Sequence, residues 1–95
     1  MAEESITREL TLLNKYGMHV RPAGLFAKMA SRYDAEVNVE KDGNVVSGKS
    51  IMALMTLEAV CGTVLKVTAT GPEASEAIEE LSALVARKVD IPDEQ

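Results

Sequence analysis

Histidine and cysteine, two of the most reactive side-chain types, occur once each in this 95-residue protein. The histidine, His19, follows Gly17-Met18 and precedes Val20-Arg21-Pro22. Proline is tolerated in the first turn of a helix, where its missing N–H would have had no partner. The spacing therefore predicts a helix that starts at His19 or Val20. Such a start presents unpaired backbone N–H groups and the positive end of the helix dipole, which together stabilise an anion. Arg21 adds a permanent cation with a planar fork of donors. A lone histidine is more often an ordinary surface or core residue. Here an imidazole, a set of N–H donors and a guanidinium converge. The chemistry that suits them is a phosphoryl group held on a ring nitrogen, its charge stabilised without being enclosed.

A second group surrounds Ser50. It stands before Ile51-Met52-Ala53-Leu54-Met55-Thr56-Leu57 and can cap a short helix, a role that contributes about 1 kcal/mol. A phosphate on Ser50 would be compatible with that cap, and would place about two negative charges at the helix start. Methionine at helical spacing usually means core. A two-turn helix cannot bury every side, however, and Ile51, Met52, Leu54 and Met55 encircle most of this one. Some apolar surface must stay exposed, and methionine suits a surface that meets several partners.

The remaining chemistry is excluded or thin. There is no paired-carboxylate site, no Ser-His-Asp spacing and no Gly-rich phosphate loop. Cys61 alone can form no internal disulfide, and a zinc cluster has too few ligands. Ten Lys and Arg against fifteen Asp and Glu give a net charge of −5, the wrong sign for a general nucleic-acid binder. No apolar run approaches the ~20 residues of a membrane span. The N-terminus lacks the pattern of a secretory signal, and a free thiol fits a reducing compartment. A cytoplasmic, metal-free and cofactor-free protein is expected.

The elements that must position these residues are read from periodicity. Residues 6–13 alternate as a strand, with Ile6, Leu10 and Leu12 on one face. Arg8 falls on the apolar parity, which suggests either an edge position or a frayed start of the strand. From Val20 to about Tyr33 the period becomes helical, with Pro22, Leu25, Phe26, Met29, Ala30 and Tyr33 on one stripe. Residues 35–40 alternate again, and Asp42-Gly43 signals a hairpin into a short strand from Val45 to Ser47. Ser50 opens the two-turn helix to about Leu57. Residues 63–70 form a fourth strand with Leu65, Val67 and Ala69 inward. Pro72 opens a last helix whose buried stripe is Ala74, Ala77, Ile78, Leu81, Leu84 and Val85, with Arg87 and Lys88 at its C-terminal end. The order β-α-β-β-α-β-α, with one apolar face per element, predicts an α+β domain: an antiparallel sheet with helices on one side. One domain is expected, its core from about 6 to 88 and an acidic tail over 89–95.

Residues 17–23, Gly-Met-His-Val-Arg-Pro-Ala, resemble the active-site signature of HPr, the histidine-containing phosphocarrier family of the phosphoenolpyruvate-dependent phosphotransferase system. Residues 48–57, Gly-Lys-Ser-Ile-Met-Ala-Leu-Met-Thr-Leu, resemble the family's second signature, around a regulatory serine. The match in length and order runs from about Ile6 to Arg87. Two departures stand out. Val20 replaces a small residue such as alanine, and Gly24 replaces a better helix former, at a cost of up to ~1 kcal/mol. The resemblance implies an open-faced β-sandwich and a carrier rather than an enzyme. It implies phosphorylation of His19 at Nδ1 assisted by Arg21, with transfer from enzyme I to the A components of enzyme II. It further implies modification of Ser50 by HPr kinase/phosphorylase in catabolite regulation, and docking of partners on Ile51, Met52 and Met55 of a monomer. Three rivals remain. A single-stranded RNA binder would need aromatic residues on its strands, and these strands have none. An enzyme lacks an acid–base pair. A regulatory or nitrogen-branch paralogue of HPr shares the phosphohistidine chemistry and is separated from sugar transport by gene neighbours.

Overall fold

The computed structural model describes residues 4–87. Its elements are β1 (Ser5–Thr11), α1 (Val20–Ala30), β2 (Glu36–Lys41), β3 (Asn44–Ser47), α2 (Ile51–Met55), β4 (Val64–Thr70) and α3 (Ala74–Ala86). The four strands form one sheet in the order β1-β4-β2-β3, and every pairing is antiparallel. β4, the last strand in sequence, lies in the interior between β1 and β2. This is the four-stranded α+β architecture expected from the sequence.

Strand alternation sets the two faces of the sheet. Leu10, Leu65, Val67, Ala69, Val37 and Val39 point inward and are buried. On the outer face Thr7 and Thr68 share a hydrogen bond across strands at 2.9 Å, and Ser5 and Thr70 one at 3.1 Å. The helices cover the inner face. All six residues of the expected α3 stripe are buried, and so are Phe26 of α1 and Leu54 of α2. Each large side chain of this kind stabilises the fold by about 1.5–3 kcal/mol relative to exposure. β1 is an edge strand. Arg8, half-buried, reaches over α3 and donates to Ser82 Oγ and to Glu79 Oε2, both at 3.2 Å.

Three elements end two or more residues short of the sequence reading, the other bounds shifting by about one residue. β1 ends at Thr11, not 13; Leu12 then exchanges backbone hydrogen bonds with Gly62 and Thr63 at 2.7 and 2.8 Å, and Leu13 is exposed. α1 ends at Ala30, not Tyr33, because the amides of Arg32 and Tyr33 turn to i−3 carbonyls, the tightening common at helix ends. Its buried stripe also shifts. Leu25 is 38% exposed, while Ala23 and Ala27 are buried in its stead. α1 lies close enough to its neighbours that alanine fills the contact and leucine is turned to the rim. α2 ends at Met55, not Leu57. Glu58 adopts φ +53°, and Lys41 Nζ donates to the Leu57 and Glu58 carbonyls at 3.0 and 3.4 Å, closing the helix where its negative end favours a cation. The hairpin is the two-residue type expected: Lys41 pairs with Asn44, and Asp42 and Gly43 both have positive φ, as a type I′ turn requires. The expected placement of Lys88 and of the 89–95 tail lies outside the described residues.

Candidate functional site

His19 is the N-cap residue of α1, with extended backbone (φ −99°, ψ −169°), and its side chain does not cap the helix. Its carbonyl accepts the first helical hydrogen bond, from Ala23 N at 2.9 Å. Pro22 has no N–H to give. The amides of Val20 and Arg21 are therefore first-turn donors that the helix itself does not use. No acidic residue stands in this turn, so the positive end of the dipole is not neutralised locally. Arg21 is exposed, and among the described residues its guanidinium makes no hydrogen bond or ion pair. His19 is half-buried, with Nε2 shielded from solvent.

The loop before His19 is tightly held. Gly17 N donates to the Asn14 carbonyl at 3.0 Å, closing a turn around the fully buried Asn14. Met18 N donates to the Ala59 carbonyl at 2.9 Å. Gly17 has φ +76°, and a Cβ added to it would stand 2.3 Å from the Ala59 carbonyl oxygen and 2.9 Å from Val60 Cα. The 14–18 loop and the 59–60 loop thus touch backbone to backbone, which only glycine permits. Lys15 and Tyr16, which the sequence reading passed over, are brought to the histidine by this loop. The Tyr16 and His19 rings lie 6.4 Å apart, edge to face, and Lys15 Nζ sits 5.3 Å from the Tyr16 ring centroid. Their only sequence signal was adjacency to Gly17-Met18-His19.

α2 packs beside α1. A Cβ on Gly24 would lie 3.8 Å from Ile51 Cδ1, which puts the start of α2 alongside the second turn of α1. Ser50 is the N-cap of α2, and its Oγ accepts from Ala53 N at 3.1 Å. Leu54 is fully buried, whereas Ile51, Met52 and Met55 are exposed, Met52 by 79%. Val20, at 60%, and Tyr16, at 57%, are also exposed. Cys61 is exposed, with its thiol 3.7 Å from the Leu13 carbonyl. Among the described residues no group of three potential metal ligands is present, and no helix is long and apolar enough to cross a membrane.

A half-buried imidazole at an un-neutralised helix start, beside an exposed cation, is the kind of site that suits a small group-carrier domain. Comparison with known proteins gives the same class. The family model described as "PTS HPr component phosphorylation site" matches residues 6–87. The phosphocarrier protein HPr of Vibrio cholerae is 41% identical over 78 residues, covering 82% of this chain and 92% of that protein. Among solved structures, the phosphocarrier protein HPr of Bacillus anthracis has a TM-score of 0.81 at 38% identity, covering 85% of this chain and 96% of that one. Crh of Bacillus subtilis, a catabolite-repression protein described as a swapped, intertwined dimer, has a TM-score of 0.71 at 38% identity, covering 87% and 95%. The chain belongs to the HPr family of phosphocarrier proteins.

Proposed function

We propose that this protein carries a phosphoryl group on Nδ1 of His19, taking it from phosphorylated enzyme I and passing it to the A components of enzyme II in the phosphoenolpyruvate-dependent sugar phosphotransferase system. The observation that carries this reading is the placement of His19 at the N-cap of α1, with its side chain unused as a cap. Shielding of Nε2 leaves Nδ1 as the nitrogen to receive the group. In each transfer the Nδ1 lone pair attacks phosphorus as the donor's bond breaks, and the reverse step delivers the group to the next carrier. The phosphoryl oxygens lie against the Val20 and Arg21 amides at the positive end of α1. The Arg21 guanidinium acts most strongly while charge is moving. Because the site is open, the partner supplies the facing half of the reaction.

Ile51, Met52 and Met55 are the docking residues in this reading, since partners that cover His19 must also cover the exposed side of α2. Ser50 sits at the edge of that contact. Phosphorylation there by HPr kinase/phosphorylase adds about two negative charges and opposes acidic partner groups without rearranging the domain. The protein works as a monomer in the cytoplasm, which sedimentation of the purified chain and fractionation of cells check. The likeness to Crh, a catabolite-repression protein, favours one second reading, a regulatory paralogue; a nitrogen-branch paralogue would share the phosphohistidine chemistry. The test of the main reading is incubation with enzyme I and labelled phosphoenolpyruvate. Acid-labile label is expected on the wild-type chain and none on His19→Ala. Persistent acid-labile label on the variant refutes the assignment. Onward transfer to a sugar-specific enzyme II A component, and not to a nitrogen-branch one, separates the two readings.

A further inference from the structure

Two successive contacts link Lys15, Tyr16 and His19. The tyrosine and histidine rings lie 6.4 Å apart with their planes at 72°, the edge-to-face arrangement that aromatic pairs favour. The Lys15 ammonium stands 5.3 Å from the tyrosine centroid, within cation–π range. Tyr16 is 57% exposed, so core packing does not account for its place. Its backbone is fixed relative to the histidine by the hydrogen bonds of Gly17 to Asn14 and of Met18 to Ala59. The imidazole does not cap α1, and its Nε2 is shielded from solvent.

We propose that Tyr16 is a positioning residue for phosphoryl transfer at His19. Its ring forms one wall of the imidazole and holds Nδ1 toward the start of α1, and Lys15 fixes the tyrosine ring in turn. The inference rests on the carrier reading above and deepens it. A ring held in one orientation does not have to stop swinging when a donor arrives, so the benefit falls on the transfer step rather than on docking.

The test uses the full chain, with Tyr16→Phe and Tyr16→Leu, in three measurements. The first is the rate of phosphohistidine formation with phosphoramidate, a small donor that needs no docking surface. There the imidazole lone pair attacks phosphorus, the P–N bond of the N-protonated phosphoramidate breaks, ammonia leaves with the bond's electron pair, and the ring proton stays on the other nitrogen. The second is kcat and KM with enzyme I. The third is the order of the His19 ring from its side-chain carbon NMR relaxation. Tyr16→Leu is expected to slow both the phosphoramidate reaction and kcat by roughly two- to tenfold, the range an aromatic pair supplies. KM should be unchanged and ring order lower. Tyr16→Phe keeps the edge-to-face contact and should behave as wild type. Unchanged rates and ring order in Tyr16→Leu, or a change in KM alone, overturn the proposal. Reaction of the wild type with phosphoramidate but not with enzyme I, with the same dependence on Tyr16, overturns the carrier reading and leaves the positioning role standing.

Discussion

Replacing Gly17 with alanine puts a methyl group where the 14–18 and 59–60 loops meet. The new Cβ falls 2.3 Å from the Ala59 carbonyl oxygen, 2.9 Å from Val60 Cα and 3.2 Å from the Ala59 carbonyl carbon. All three are backbone atoms, which cannot swing aside as a long side chain can. The residue is also held at φ +76°, where a side chain costs about 1–2 kcal/mol. Relief of the clash requires the loops to part, and that stretches the hydrogen bond from Met18 N to the Ala59 carbonyl, now 2.9 Å and worth about 0.5–1.5 kcal/mol. Overpacking of this kind adds about 1–3 kcal/mol. The stretched hydrogen bond is part of that overpacking cost, so the expected loss is about 2–5 kcal/mol, which for a domain of this size lowers the melting temperature by roughly 10–40 °C. The loop that moves leads directly into His19, so phosphorylation by enzyme I should slow even at temperatures where the variant is fully folded. Circular dichroism melts and transfer rates at low temperature measure the two effects separately. A loss below about 1 kcal/mol, with transfer at the wild-type rate, would refute the claim that backbone contact between these loops places the histidine.

Other substitutions test the site piece by piece. Arg21→Ala should reduce the transfer rate more than it weakens binding to enzyme I, with only partial rescue by lysine, which lacks the bidentate fork; equal losses in both measurements would make Arg21 a docking residue. Ser50→Asp should raise KM for enzyme I at low salt, less so at high salt where the charge is screened, with little change in melting temperature. Met52→Ala, which removes apolar contact, should raise the same constant with little dependence on salt, so titrations at two ionic strengths distinguish them. Gly24→Ala should stabilise the protein by about 0.5–1 kcal/mol, since its methyl meets only Ile51 Cδ1 at an ordinary 3.8 Å; a lower melting temperature would show that the contact is tighter than the distance implies.

Much of this protein is decided by local pattern. The six apolar positions of α3 recur at helical spacing, and all six are buried. The Asp42-Gly43 turn follows from the two residues' tolerance of positive φ, and the start of α1 at His19 from a proline that needs no hydrogen-bond acceptor. The candidate histidine, the arginine beside it and the capped helix at Ser50 were legible for the same reason, because caps and first turns are short-range structures. Elsewhere the outcome depended on what packs against each element. Periodicity placed Leu25 on the buried stripe of α1, yet Ala23 and Ala27 are buried there and Leu25 lies at the rim, because the space between neighbours, not the period, selects residue size. The interior place of β4 rests on pairing with β1, more than fifty residues away, and with β2, more than twenty-five away, and has no local signature. The same holds at the histidine. Contact of Gly17 with Ala59 and Val60 sets the loop that carries Tyr16 to the imidazole, and a backbone approach between distant segments leaves no trace in either one alone.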